Sequence, residues 1–243
     1  MTSIKSYHRP TSIDEALELL AAHSDSAALL AGGTQLVGDL PVNVESIIDL
    51  QALELSEITG DERVVHLGAM VTLQQMVDHA ALPELLRTLA HAAAANTFRN
   101  NGTIGGLIAS RDAESELLAA LLAFECEVRI QSKEGQHSVA LLDYFEQPID
   151  GIITQATIQA NGMAAVERVG RTPKDVPIVA VVARMPPGGE LVLAFSGMGP
   201  TPILCPPEKV AALDPPEDFR GSKSYRKHLA QTLTARVLKQ IGG

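Results

Sequence analysis

Two glycine pairs carry the chemistry that this sequence can be asked to do. One is Gly105-Gly106, within Arg99-Asn-Asn-Gly-Thr-Ile-Gly-Gly-Leu-Ile-Ala-Ser, and the other is Gly32-Gly33, within Leu29-Leu-Ala-Gly-Gly-Thr-Gln-Leu. Lacking a Cβ, glycine lets backbone approach a ligand closely and opens positive φ. Successive amides can then converge on one anion, a concavity that suits a phosphate and needs no cationic side chain. One such pair alone is usually an ordinary turn, because short glycine motifs match by accident. The second pair follows an apolar run of strand length, and α/β units commonly place ligands at the carboxyl ends of strands.

Other reactive residue types point to no chemistry. Asp112, Glu114, Ser115 and Glu116 crowd the start of a leucine-rich helix, Leu117–Phe124, where carboxylates suit the positive end of the helix dipole. His66, His79 and His91 are scattered and have no regularly spaced metal-type neighbour. Cys126 and Cys205 are far apart with no Cys-x-x-Cys spacing, so neither a zinc site nor an iron–sulfur cluster is predicted, and metal chemistry belongs to another chain. Cys126 lies in an apolar run and reads as a buried, unreactive thiol.

The elements that must position the glycine loops follow from periodicity and caps. Ser12-Ile-Asp-Glu has capping-box form, and Ile13, Ala16, Leu17 and Leu20 share a helical stripe that ends near His23. Ala27–Ala31 and Ser46–Leu50 read as strands, giving a small βαβ-like unit. Val64–Gly68 is a strand, Thr72-Leu-Gln-Gln opens a helix with a second capping box, and Leu82–Ala95 reads as a packed helix with Pro83 tolerated near its start. Cys126–Gln131 and Val139–Leu141 read as paired strands. After Pro148 come Ile152–Gln159, Val166–Val169, Ile178–Met185 and Leu191–Phe195, which imply one small sheet, then a Pro-rich loop and a final helix from Tyr225 to about Ile241 burying Leu229, Leu233 and Val237.

Composition bounds the function. Of 243 residues 46% are apolar and 20% charged, which is globular composition, while aromatics are 3% with no Trp. The net charge of −10, with so few rings for base stacking, lacks the footprint of a nucleic-acid binder. No segment has the apolar length of a membrane span and the N-terminus has no apolar signal region, so a cytoplasmic protein is expected.

Taken together, Leu30-Ala-Gly-Gly-Thr and Arg99-Asn-Asn-Gly-Thr-Ile-Gly-Gly resemble the two FAD-binding loops of the molybdopterin dehydrogenase flavoprotein family, the medium subunits of carbon monoxide and xanthine dehydrogenases. The likeness extends to Tyr7-His-Arg-Pro-Thr-Ser, Ile48-Asp-Leu, His66-Leu-Gly-Ala-Met-Val-Thr and the ending Asp218-Phe-Arg-Gly-Ser-Lys-Ser-Tyr-Arg. It implies an α+β fold: an FAD-binding domain over residues 1–150, split into a small α/β unit (about 1–57) and a larger α+β unit (58–150), then a sheet-and-helix C-terminal domain over 151–243.

Carried over, the resemblance makes Leu30, Ala31, Gly32, Gly33, Thr34, Gln35 and Leu36 one phosphate loop. Thr103, Ile104, Gly105, Gly106 and the adjoining Leu107 form the other, both gripping the pyrophosphate mainly through backbone amides. Glu116 matches a carboxylate, usually Asp, that hydrogen-bonds flavin-chain hydroxyls. Ile153 lies where the family places an apolar contact on the flavin, and Arg168 lies near a basic position. Two residues depart from the pattern: Gln35, where an acidic or small polar residue is usual, and Leu107, which replaces a common Asn. Losing one such hydrogen bond costs about 1 kcal/mol.

The implied function is an FAD subunit with no catalytic residue of its own, relaying electrons from a partner's iron–sulfur clusters to NAD or another acceptor. The implied partners are a small subunit with two 2Fe–2S clusters and a large molybdopterin-binding subunit. The alternatives are a structural or assembly subunit that has weakened or lost FAD, and a stand-alone flavin reductase like the UDP-N-acetylenolpyruvylglucosamine reductases, which the Arg-Gly-Ser-x-x-Tyr-Arg ending disfavours.

Overall fold

The computed structural model describes residues 4–172 and 175–242. The chain opens with strand β1 (Ser6–His8), helix α1 (Ile13–His23) and strands β2 (Ala27–Leu30) and β3 (Ser46–Asp49). The three strands form a parallel sheet in the order β1-β3-β2. At the start of α1 the Ser12 hydroxyl accepts from the Glu15 amide (3.2 Å), and the Glu15 carboxylate accepts from the Thr11 amide (2.9 Å). The second bond lands one residue earlier than a strict capping box requires. Ala16 and Leu17 then pack on Ile48, Leu50 and Leu53.

The βαβ-like unit is therefore real but displaced. Its crossover helix is α1, between β1 and β2, and no helix lies between β2 and β3. Strand β1 has three residues and no apolar run, so periodicity alone does not reveal it.

The second unit contains β4 (Ile58–Gly60), β5 (Val64–Gly68), α2 (Leu73–Asp78), α3 (Glu84–Ala93), α4 (Asn96–Arg99), α5 (Ile104–Ser110) and α6 (Glu116–Ala123). It continues through β6 (Glu127–Ser132), β7 (Gly135–Ala140), α7 (Leu141–Glu146) and β8 (Ile152–Gln159). Its antiparallel sheet has the order β4-β5-β8-β6-β7. Thr72 caps α2 through the expected box. Helix α6 is buried from Leu117 to Ala123 and forms the centre of the largest core, against Leu86, Ile104, Ile108, Val128 and Ile158. Each of its buried leucines contributes about 1.5–3 kcal/mol.

Ile152–Gln159 does not join the C-terminal sheet as the succession of strands predicts. Strand β8 lies in the middle of this second sheet, with Ala156 opposite both Leu67 and Val128. Alternation marks a strand and its buried face but not its partners, so strands that follow one another in sequence need not share a sheet. In place of a division after residue 150, we propose one near Ala160.

The third unit holds β9 (Met163–Val169), β10 (Val179–Met185), β11 (Val192–Ser196), β12 (Ile203–Leu204) and α8 (Lys223–Ile241), with sheet order β12-β11-β10-β9. Leu229, Leu233 and Val237 of α8 pack on Val179, Val181 and Phe195, as the stripe predicted. Val182 and Ala194 face the other way, into the core around α6. Arg184, only 1% exposed, straps the two units together. It donates to the Ala123 carbonyl (3.2 Å) and the Asn161 carbonyl (2.9 Å), and it pairs with Glu125 (2.7 Å) above the Phe124 ring. No helix among the described residues is long and apolar enough to cross a membrane.

Candidate functional site

The two glycine loops touch. A Cβ on Gly32 would fall 1.7 Å from the Asn101 carbonyl oxygen and 2.6 Å from its carbon, so only glycine permits this approach. Gly33 has φ +69°, the left-handed conformation that the motif suggested. Beyond it the chain closes a turn, with the Val37 amide donating to Gly33 (3.2 Å) and the Gly38 and Asp39 amides to Gln35 (3.0 and 3.1 Å). Among the described residues no acceptor takes the amides of Gly32, Gly33, Thr34, Gln35 or Leu36.

The positive φ that glycine allows is not used at Gly105-Gly106. Both glycines lie in the first turn of α5, capped by Thr103, whose hydroxyl accepts from the Gly106 amide (3.2 Å). The Ile104 amide donates to Val71 (2.9 Å), Gly105 to Ala69 (2.8 Å) and Leu107 to Thr103 (2.9 Å). The amides read as a row facing an anion are thus committed to the fold. The cause is a bridge between Thr72 and Thr103 that lays residues 103–105 along residues 69–72. Gly105 is required there because a Cβ would meet Ala69 at 2.8 Å.

A third side is built at α6. The Ser115 hydroxyl caps it, accepting from the Leu118 amide (3.2 Å). Oε1 of Glu116 pairs with Arg168 of β9 (3.2 Å), and Oε2 is buried with no partner. Burial pushes the Glu116 carboxyl above its ordinary range, and the Arg168 charge pulls it partly back. Arg168 also donates to the Asp175 carbonyl. Glu114 is more than a partner for the helix dipole, since it pairs with Arg220 of the third unit.

These parts surround a cleft of about 1040 Å³. Ala31, Gly32, Gly33, Thr34, Gln35 and Leu36 line it, as do Thr103, Gly106, Leu107, Glu116 and Arg168. Leu30, Ile104, Gly105 and Ile153 do not line it. Ile104 is fully buried behind the loop, and Ile153 packs against the main core opposite Ile130 of β6.

Sequence reasoning missed the ledge from Ala92 to Ala95 with Phe98, which also lines the cleft. The expected helix Leu82–Ala95 stops at Ala93, and Ala94 is extended. Arg99 holds this segment, donating to the carbonyls of His91 (3.1 Å) and Ala94 (2.7 Å) and to the Gln74 side chain (3.0 Å). Phe98 is 54% exposed, and an aromatic in an alanine run beside the second motif was the only available signal.

Chemically the cleft offers unpaired amides, the buried and unpaired Oε2 of Glu116 and an apolar ledge. This suits holding an anionic, partly aromatic molecule, and the volume exceeds that of most drug-sized sites. Both thiols lie elsewhere, buried, and Cys126 is pushed up to about 12 by desolvation, so neither is a nucleophile at neutral pH.

The family model described as the FAD binding domain in molybdopterin dehydrogenase matches residues 2–160. The chain is 30% identical over 248 residues to the uncharacterized protein YgfM of Escherichia coli, covering 96% of this chain and 94% of that one. It is 30% identical over 278 residues to the nicotine 6-hydroxylase medium subunit of Paenarthrobacter nicotinovorans, covering 97% and 96%. A chain of the carbon monoxide dehydrogenase from Hydrogenophaga pseudoflava shares the fold with a TM-score of 0.86 at 24% identity, covering 99% of this chain and 98% of that one.

Proposed function

The chain belongs to the family of FAD-binding domains of molybdopterin dehydrogenases, and from that premise we propose that it is the electron-transfer subunit of a molybdenum-hydroxylase-type complex. It is a flavoprotein subunit of an oxidoreductase, and its cofactor is FAD. In this reading electrons arrive from a partner's iron–sulfur clusters and leave through FAD to NAD or another acceptor, in the cytoplasm. The partners are a small subunit with two 2Fe–2S clusters and a large molybdopterin-binding subunit. A relative named as a medium subunit supports such an assembly.

The observation that carries the site assignment is the meeting, in one cleft, of the unpaired amides of Gly32–Leu36 with the buried, unpaired Oε2 of Glu116. Both fit FAD: the amides suit its pyrophosphate, and a lone carboxylate oxygen suits a hydroxyl of its flavin chain. When bound, FAD supplies a centre that collects electrons and passes them on as a pair.

This chain's own residues bind and orient. In this reading the amides of Gly32–Leu36 serve the pyrophosphate, and Thr103 fixes the start of α5, where Gly106, having no side chain, leaves the cleft open. Arg168 holds Glu116, and Phe98 with Ala92–Ala95 gives a ring system an apolar seat that excludes water. Leu30, Ile104 and Gly105 act from behind the loops, and Ile153 is not among the contacts we propose. Gln35 and Leu107 line the cleft, so their departures from the family pattern bear on affinity.

Purification tests this. A yellow protein with flavin bands and about one FAD per chain is expected, and it should not be bleached by purines, aldehydes or carbon monoxide until a cluster-bearing partner is added. Stoichiometric bleaching in the isolated chain would contradict the relay role.

A further inference from the structure

The turn Asp218–Gly221 lies outside the cleft, yet its arginine reaches the cleft's wall. We propose that Arg220 is a positioning residue for cofactor retention, clasping the Val176–Pro177 segment to Glu114 and so fixing one wall of the cleft. This rests on the FAD reading given above.

The geometry is that of a guanidinium serving three acceptors. Arg220 pairs with Glu114 and donates to the Val176 carbonyl and to the Pro177 carbonyl (3.2 Å), with its side chain only 10% exposed. Glu114, Val176 and Pro177 all line the cleft. Arg168 makes the same kind of bridge beside it, joining Glu116 to the Asp175 carbonyl. Two arginines thus run in parallel, each tying one carboxylate at the start of α6 to the 175–177 segment.

Arg220 is itself held. Oδ1 of Asp218 accepts from the amides of Arg220 (2.9 Å) and Gly221 (3.1 Å), and Oδ2 accepts from Arg226 (2.7 Å). Arg226, 1% exposed, donates to the carbonyls of Ile178 (2.6 Å) and Gly197 (2.8 Å). The Gly197 amide donates to Ala113 (2.7 Å), which returns the circuit to the residue next to Glu114. A closed circuit of this kind has little slack. A lysine at 220 would place one point charge where a planar fork now meets three oxygens.

The test uses the full chain loaded with FAD. Release is followed by flavin fluorescence after dilution, and amide exchange is measured on the same proteins without FAD. Arg220→Gln should release FAD about tenfold faster, the consequence of losing one charge-assisted contact network. Arg220→Lys should recover only part of this. Glu114→Gln combined with Arg220→Gln should be no faster than Arg220→Gln alone, whereas Lys133→Gln, an exposed change in the β6–β7 turn, should leave release unchanged.

Without FAD, Arg220→Gln should speed exchange at the Ile178 and Gly197 amides and leave the β6–β8 ladder unaffected. A folded Arg220→Gln protein with either readout unchanged, or full recovery by Arg220→Lys, overturns the clasp. A wild-type chain that takes up no FAD fails the cofactor reading and with it the retention role, and exchange at Ile178 and Gly197 then still decides whether the clasp exists.

Discussion

Gly32 and Asn101 bring the backbones of the two glycine loops into contact: there is no room for a Cβ between the Gly32 α-carbon and the Asn101 carbonyl. Gly32→Ala must therefore separate the loops. The expected result is a folded protein destabilised by about 1–3 kcal/mol through overpacking and depleted of FAD. Denaturant unfolding and the ratio of flavin to protein absorbance measure the two effects.

Gly105 and Gly106 should respond in opposite ways. Gly106→Ala has only the Thr103 hydroxyl nearby, at 3.2 Å, and sits within a helix, where alanine is favoured by up to about 1 kcal/mol. Stability should hold or rise while FAD affinity falls, because the new methyl enters the cleft. Gly106→Val should abolish or greatly weaken binding with the fold largely kept, as circular dichroism can verify. Gly105→Ala meets Ala69 at 2.8 Å and should lose stability.

Much of the fold around this cleft was legible in the sequence, and the limits have physical causes. The caps at Ser12 and Thr72 and the stripe of α8 are local, so spacing reveals them. The roles of Gly32 and Gly105 are not local: each faces backbone distant in sequence, Asn101 in one case and Ala69 in the other. Periodicity could not show that β8 belongs between β5 and β6, since its alternation is the same in either sheet. Arg220 was hidden because its partners come from separate segments, Glu114 on one and Val176 and Pro177 on another.

Glu116 gives a pH signature. Its carboxyl is raised in the folded protein by burial, with Arg168 opposing. The folded state therefore binds this proton more tightly than the unfolded state, and the group's contribution is fully present below its unfolded pKa and lost as pH rises through its folded pKa. Glu116→Gln, which keeps the neutral shape, should be at least as stable as wild type in acid and gain on it above the ordinary carboxylate range. Thermal unfolding across pH reads this, and no change in the difference with pH would contradict it. FAD affinity should fall in the same variant.

Arg184 joins the second and third units from a nearly fully buried position. Arg184→Ala leaves the carbonyls of Ala123 and Asn161 without donors and should cost on the order of 3 kcal/mol, whereas Glu125→Gln, at an exposed partner, should cost less than about 1 kcal/mol. Chemical denaturation of the two variants distinguishes a backbone strap from a simple ion pair.

The central claim is that the amides of Gly32–Leu36 hold the FAD pyrophosphate while those of Ile104 and Gly105 serve the fold. Titrating FAD into the isotope-labelled chain and following backbone amide resonances tests it most directly. Saturation at one FAD per chain is expected, with the largest shifts at Gly33, Thr34, Gln35 and Leu36, a smaller one at Gly106, and little at Ile104 and Gly105. Largest shifts at Ile104 and Gly105 with the first loop unmoved, or no saturable binding, would contradict it.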